Sequence, residues 1–157
     1  MRKINILFVS VLLYNLAYAA DDITVVALND FHGQMAANKS MVGAGKISIF
    51  LQNFRKQYPN TVVVLAGDNY QGTAISNISL GQVDNEFFNY IGVKYSALGN
   101  HDFDYGQAVF ESWARTNQFP FLAANVINAS DGSIFKYAEP YGELALPSGK
   151  KIAFIGL

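Results

Sequence analysis

Polar side chains that can bind metal ions occur in three short clusters of the sequence. The clusters are residues 29–33 (NDFHG), 67–69 (GDN) and 99–104 (GNHDFD). Each follows directly after a run of apolar residues that predicts a buried strand. In an open α/β sheet the carboxyl ends of the strands form the edge at which ligands bind. We therefore expect the three clusters to lie side by side at one edge of a sheet.

The residue types in these clusters suit hard or borderline divalent metal ions. Carboxylate, imidazole and amide ligands favour manganese, magnesium, zinc or iron over softer metals. Asp30 and His32 lie two residues apart on a segment expected to be extended, so both side chains can face one ion. Asp68 has two carboxylate oxygens that can bridge two ions, and Asn100 offers a neutral oxygen to the second. Two ions about 3.5–4 Å apart can clamp a phosphate and generate hydroxide.

A structural role for the same residues is the competing interpretation. Asp and Asn are common turn formers and helix caps, so a single Asp after a strand is weak evidence for a metal. The combination is more specific, because the clusters contain both histidines of the chain, His32 and His101. The glycines Gly33, Gly67 and Gly99 are expected to permit tight turns where the backbone approaches the ions. Together these features favour a metal site.

The elements that must position the clusters alternate between strand and helix. Apolar runs predict buried strands at residues 23–28, 61–66, 95–98 and 121–124. Apolar residues at helical spacing predict helices at 43–58 and 107–117. Asp84 is expected to cap a short helix that Gly92 closes. The alternation implies βαβ units and a largely parallel sheet with flanking helices, and the continuous apolar strands imply burial on both faces.

The pattern changes after residue 125. Apolar runs at 141–146 and 150–157 flank Pro147-Ser148-Gly149, which predicts a C-terminal hairpin. The sequence then stops directly after the apolar run IAFIG. We therefore expect the chain to be the truncated first part of a larger domain.

Composition excludes several classes of function. The chain has 157 residues, of which 51% are hydrophobic and 15% charged, which is typical of one globular domain rather than a disordered segment. The formal net charge is −1 and there is no basic stripe, which argues against binding to a nucleic-acid polymer. The absence of cysteine excludes disulfides, thiolate metal sites and thiol catalysis.

The N-terminus is predicted to be a secretory signal peptide, residues 1–19. A basic start is followed by an apolar run from Ile4 to Leu16 and by the cleavage pattern Ala17-Tyr18-Ala19. A transmembrane anchor is the alternative, but the run is shorter than the roughly 20 residues that span a bilayer. We expect export to the periplasm or the exterior, with no membrane span after cleavage.

Three blocks of the sequence resemble the secreted 5′-nucleotidase family of the calcineurin-like metallophosphoesterases. They are LNDFHG at 28–33, AGDNYQGT at 66–73 and ALGNHDFDYG at 97–106, and FLAANV at 121–126 resembles the segment that follows. The similarity spans residues 23–157. It implies an α/β fold, namely the N-terminal half of the family's αββα sandwich, with residues 20–157 as part of the catalytic domain.

The resemblance also implies a site with two divalent ions, drawn from manganese, zinc, cobalt, magnesium or iron. Asp30 and His32 would bind one ion, Asp68 would bridge both, and Asn100 would bind the other. The family's further ligands, two histidines and a third His or Gln, have no counterpart in this sequence. The chain would therefore hold about half of the metal ligands.

Catalytic roles are implied for two residues of the third block. His101 would sit beside the transferred phosphoryl group, and Asp104 would orient it and favour its protonated form. Asp102 stands where the family often has Glu or Asp and receives no chemical role. Asn29 precedes the ligand pair and would support it from outside the coordination shell.

The expected function is an exported, metal-dependent phosphohydrolase that removes phosphate from nucleotides by two-metal activation of water. A 2′,3′-cyclic-nucleotide phosphodiesterase with 3′-nucleotidase activity and a nucleotide-sugar hydrolase share all three blocks and stay open. An alternative of another class is a non-catalytic remnant of a truncated gene, because ligands and the family's nucleoside-binding domain are missing.

Overall fold

The computed structural model of the protein describes residues 22–146 and 148–157. The predicted signal peptide at residues 1–19 lies outside this range. Seven strands form two sheets: β1 (Thr24–Leu28), β2 (Thr61–Ala66), β3 (Val93–Ala97), β4 (Phe121–Leu122), β5 (Ala138–Glu139), β6 (Tyr141–Ala145) and β7 (Lys151–Ile155). The helices are α1 (Ala44–Gln57), α2 (Ala74–Ile78), α3 (Gln82–Tyr90) and α4 (Gln107–Thr116). A 3-10 turn covers His101–Phe103.

The larger sheet has the order β1-β2-β3-β4-β5, and every neighbouring pair is parallel. In the register of the first three strands, Leu28 pairs with Leu65 and Ala66 pairs with Ala97. Strands β1, β2 and β3 therefore end at the same edge. The parallel sheet with flanking helices, predicted from the alternation of elements, is confirmed.

Strand β1 is less buried than its sequence predicts. Its residues alternate between half-buried and exposed, and Val25 is 48% exposed. β1 lies at the end of the strand order, whereas Val63 and Leu65 of the next strand are buried. The expectation of burial on both faces is therefore wrong for β1, because the face that carries Val25 and Ala27 is exposed. It is right for β2 at Val62 and Val63, which point to opposite faces and are both buried.

The core that supports the sheet is largely aromatic. Tyr70 stacks on Trp113 with ring centroids 4.0 Å apart, and Phe110 packs on Phe121 at 4.6 Å. The Trp113 indole N–H donates to the carbonyl oxygen of Leu80 at 2.8 Å, so its polar atom is satisfied. Helix α4 thereby clamps the segment that follows β2 onto the sheet.

The C-terminal hairpin is also confirmed, with β6 and β7 antiparallel. The Tyr95 hydroxyl donates to the carbonyl oxygen of Glu143 at 2.7 Å, and the Tyr95 and Phe154 rings lie 5.1 Å apart. A backbone hydrogen bond from Ala124 to Gly156 adds a further link, at 2.8 Å. The hairpin is thus attached to the larger sheet through β3 and the segment after β4.

The predicted capping role of Asp84 is wrong. Gly81 is the N-cap of α3, with a φ of 75°, and Asp84 lies buried inside the first turn. Gly92 follows the helix with a φ of 68°, as predicted. A short helix, α2, precedes α3 and was not predicted, because its five residues are too few to show a periodic pattern.

Asp84 instead joins a buried polar cluster. Its Oδ2 lies 2.5 Å from the Ser76 hydroxyl, which also contacts the carbonyl oxygen of Tyr70. The Ser76 hydroxyl donates to Asp84 Oδ2, and Asp84 Oδ1 is buried without a hydrogen-bond partner among the described residues. Burial raises the pKa of Asp84 to about 6, partly offset by the Ser76 hydrogen bond. Burial therefore favours the neutral acid, and the hydrogen bond from Ser76 acts against it.

Among the described residues, no helix combines the length and the apolar character needed to cross a membrane.

The Asp84→Asn variant is expected to be more stable than the wild type above pH 6. Because burial raises the pKa of Asp84 from 3.8 to about 6, the folded state binds the proton more tightly than the unfolded state. The wild type therefore loses stability as pH rises from 4 through 6, by about 3 kcal/mol. The substituted asparagine does not ionise, and its amide can donate to Ser76.

The measurement is the free energy of unfolding in denaturant between pH 4.5 and 8. Glu86→Gln, which neutralises an exposed acid on the same helix, is the control. Parallel pH profiles for the wild type and Asp84→Asn would contradict the interpretation.

Candidate metal centre

The loops that follow β1 and β2 are joined by a ladder of backbone hydrogen bonds. The donors are the N–H groups of residues 30, 32 and 33, and the acceptors are the carbonyl oxygens of residues 67, 68 and 69, at 3.0–3.1 Å. Parallel pairing thus continues beyond the ends of the two strands. It brings the first polar cluster against the second, as the sequence predicts.

Three residues of these loops have left-handed backbone conformations. The φ values are 49° for Asp30, 47° for His32 and 54° for Asp68. Among the described residues, Leu80 is the one other non-glycine residue with positive φ. The expectation that Asp30 and His32 share an extended segment is therefore wrong, because the turn follows the strand at once. Left-handed backbone costs roughly 1–2 kcal/mol per residue and persists where surrounding contacts hold it.

These same three residues form a cluster of potential ligands. One ligand atom from each of Asp30, His32 and Asp68 lies within 4.8 Å of the others. His32 Nε2 is 3.9 Å from Asp30 Oδ1. Atoms bound to one ion at about 2.1 Å lie at most about 4.2 Å apart, so the cluster needs to close by less than about 1 Å. Two carboxylates and an imidazole therefore fit one divalent ion in chemistry and in spacing.

The orientation of His32 suits a ligand. Its Nδ1 lies 2.9 Å from the carbonyl oxygen of Gln71, so the N–H at Nδ1 donates to the backbone. Nε2 is then the unprotonated nitrogen, and it faces Asp30. The Asn29 amide donates to Asp30 Oδ2 at 2.8 Å, which places it outside the ligand pair as expected. The Gln71 carbonyl oxygen thus orients the His32 ring. The sequence does not show this contact, because the acceptor is a main-chain atom.

The loop after β3 approaches Asp68 closely. The backbone N–H of His101 donates to Asp68 Oδ1 at 2.8 Å. Gly99 makes this approach possible, because a Cβ at that position would lie 2.5 Å from the Asp68 nitrogen and closer still to its carboxylate. Gly67 has a φ of 97°, and a Cβ added at this position would lie 2.8 Å from the Gly99 nitrogen.

His101 and Asp104 form a hydrogen-bonded pair, with Nδ1 to Oδ2 at 2.7 Å. The hydrogen bond to Asp104 raises the pKa of His101, and the charges of Asp104, Asp68 and Asp102 act in the same direction. The imidazole is 43% exposed, and its ring centroid lies 5.4 Å from that of His32. The pair therefore borders the cluster and remains accessible. Asn100 is exposed directly before it, at the start of the 3-10 turn.

Asp102, which sequence reasoning left without a role, is completely buried between the loops. Its carboxylate accepts backbone hydrogen bonds from Asp68, Asn69 and Gly99, at 2.9–3.2 Å. Burial raises the pKa of Asp102, and the backbone hydrogen bonds oppose that effect. All three partners of Asp102 are main-chain N–H groups, which leave no signal in the sequence.

Comparison with known proteins identifies relatives over most of the chain. Residues 23–152 match the family model described as calcineurin-like phosphoesterase. NAD 5′-nucleotidase of Haemophilus influenzae is 29% identical over 153 residues, covering 90% of this chain and 25% of that protein. 5′-Nucleotidase of Mus musculus is 33% identical over 122 residues, covering 70% of this chain and 21% of that protein.

A solved structure gives the same result in three dimensions. The structure of Haemophilus influenzae NAD nucleotidase matches with a TM-score of 0.76 and 28% identity, covering 86% of this chain and 26% of that one. The chain thus spans about a quarter of the length of the relatives it matches.

The Gly99→Ala variant is expected to bind Mn²⁺ at least about tenfold more weakly than the wild type, because the added methyl group displaces Asp68 from the cluster. Overpacking of this kind also lowers the free energy of unfolding by about 1–3 kcal/mol. Gly45→Ala is the matched control, since nothing lies within 4 Å of a Cβ there and alanine favours the helix. Calorimetric titration with Mn²⁺ and thermal unfolding measure both effects. Wild-type affinity in Gly99→Ala would refute the close-approach argument.

Asp68→Ala is expected to lose metal where Asp104→Ala retains it. Loss of a side chain that only orients metal ligands typically weakens metal binding by roughly 10–100-fold. Asp68 is a proposed ligand itself, so Asp68→Ala should weaken Mn²⁺ binding by more than about 100-fold. Asp104→Ala should instead lower the pKa of His101, because it removes the hydrogen bond that raises it. Metal content after dialysis and an NMR titration of the imidazole test the two variants. Full metal occupancy in Asp68→Ala would show that it is not a ligand.

Proposed function

Because the chain belongs to the calcineurin-like phosphoesterase family, we propose that it forms the metal-binding part of a phosphohydrolase that removes phosphate from nucleotides. The observation that carries the proposal is the cluster of Asp30, His32 and Asp68 beside the His101–Asp104 pair. Residues 20–157 are proposed to belong to the catalytic domain. Residues 1–19 are proposed to be a signal peptide that directs export to the periplasm or the exterior.

Four side chains are proposed to hold the metals. Asp30 and His32 would hold one divalent ion, Asp68 would contribute its carboxylate to both ions, and Asn100 would contribute its side-chain oxygen to the second. Divalent ions supply charge that stabilises the phosphate oxygens and acidifies bound water. The chain's own contribution is to fix the ligands, through the ladder between the first two loops and the His32–Gln71 hydrogen bond.

His101 is proposed to act on the phosphoryl group directly. Its Nδ1 is occupied by Asp104, so Nε2 is the nitrogen available to the substrate. The hydrogen bond to Asp104 raises the pKa of the imidazole, so it extends upward the pH range over which the ring is protonated. A protonated imidazole can donate a hydrogen bond to a phosphoryl oxygen or a proton to the leaving oxygen. Asp104 acts through His101, by holding its orientation and charge.

Nucleotides are the proposed substrates because the relatives carry the names NAD 5′-nucleotidase and 5′-nucleotidase. The test measures phosphate release from AMP and an aryl phosphate, conversion of 2′,3′-cyclic AMP to 3′-AMP, and conversion of NAD to AMP and nicotinamide mononucleotide, each with Mn²⁺, Co²⁺, Zn²⁺ or Mg²⁺. We expect metal-dependent release from AMP that is lost in Asp68→Ala. The rate should be at least about tenfold below that of the Haemophilus influenzae relative, because four ligands hold two ions loosely.

The controls separate the alternatives. Asp131→Ala removes an exposed carboxylate from a distant turn and should not alter the rate. Metal binding without hydrolysis of any of these compounds would contradict the enzymatic proposal and favour a non-catalytic role. Conversion of 2′,3′-cyclic AMP to 3′-AMP, without phosphate release from AMP, would favour the phosphodiesterase alternative.

A further inference from the structure

Asp102 satisfies main-chain groups from two loops at once. Its Oδ2 accepts from the N–H groups of Asp68 at 3.2 Å and Gly99 at 3.0 Å, and its Oδ1 accepts from Asn69 at 2.9 Å. Two of these donors belong to the loop after β2, and the third belongs to its own loop after β3. The side chain is completely buried. Asp102 therefore links the two loops where backbone pairing between β2 and β3 has ended.

The link is reciprocal. Asp68, from the loop after β2, accepts through Oδ1 the N–H of His101 in the loop after β3, at 2.8 Å. Asp102, from the loop after β3, accepts the N–H of Asp68 itself. Each loop thus gives a carboxylate to the other's main chain. This exchange fixes both the backbone and the side chain of Asp68, whose left-handed φ of 54° needs external support.

We propose that Asp102 is a positioning residue for the metal centre: it holds Asp68 and the start of the 3-10 turn so that ligands from both loops face the same site. The proposal rests on the proposed metal-binding function. Asp102 itself is directed at the main chain behind the ligands.

The geometry requires a carboxylate rather than an amide. All three partners are donors, and an ionised Asp has acceptors on both oxygens. An Asn at this position has the same shape but turns its NH₂ group toward at least one N–H, and that donor is left without a partner. A Glu retains acceptors on both oxygens and is longer by one methylene group. Asp102→Asn and Asp102→Glu therefore separate the acceptor role from side-chain shape.

The experiment is a calorimetric titration of the chain with Mn²⁺. Asp102→Asn is expected to weaken binding by roughly 10–100-fold, as is typical when a group that orients metal ligands is lost. Asp102→Glu should recover most of the affinity. Leu51→Ala is the control for stability alone, because it removes a buried apolar side chain of α1 and leaves the hydrogen bonds of the loops in place. It should lower the melting temperature without changing Mn²⁺ affinity.

A second measurement needs no metal. In the metal-free protein the amide protons of Asp68, Asn69 and Gly99 should exchange slowly with solvent by NMR, and at least one should exchange faster in Asp102→Asn. Equal Mn²⁺ affinity in the wild type and Asp102→Asn would overturn the proposal. It would also be overturned if Asp102→Asn and Leu51→Ala both lost Mn²⁺ affinity in proportion to the fall in their melting temperatures. Mn²⁺ binding that depends on Asp102, without phosphate release, would overturn the enzymatic function and leave the positioning role supported.

Discussion

The matched register of three neighbouring parallel strands is the constraint on which the candidate site depends. Because β1, β2 and β3 end together, their three loops leave the sheet at one edge and bring their main-chain polar groups into close contact. Buried N–H and carbonyl groups must find partners, so the loops are obliged to bond to one another. Between the first two loops the backbone ladder simply continues. The ligand side chains are carried on this bonded framework.

Between the second and third loops the same requirement is met by side chains. Asp102 accepts from the main chain of the second loop, and Asp68 accepts from the main chain of the third. Gly67 and Gly99 allow the two backbones to approach closely enough for these bonds. Asp68 thus belongs both to the framework and to the ligand cluster. A substitution of Asp68 would therefore alter both the contacts between the loops and the proposed ligand cluster.

The aromatic core anchors the second loop from below. Tyr70 lies two residues after Asp68, is completely buried and stacks on Trp113 of α4. Its hydroxyl donates to Asn85 of α3 at 3.2 Å, and its carbonyl contacts Ser76 of α2. Three helices therefore restrain the chain just beyond the ligand. Left-handed backbone at a ligand is tolerated when the neighbouring residues cannot relax, and this packing supplies that restraint.

The sequence by itself determined β1 to β4, the hairpin, the helices α1, α3 and α4, and the edge at which Asp30, His32 and Asp68 meet, because apolar periodicity and turn residues act locally. It did not predict β5, whose two residues are too few to show a pattern. The resemblance of three short blocks added the family and the His101–Asp104 pair. Tertiary structure alone decided that β1 is half exposed, that Asp84 is a buried acid rather than a cap, and that Asp102 joins two loops. Those outcomes depend on which strand lies at the edge and which main-chain groups meet across more than 30 residues of sequence. A local pattern contains no information about such partners, and burial changes the chemistry of an acid only once the partners are in place.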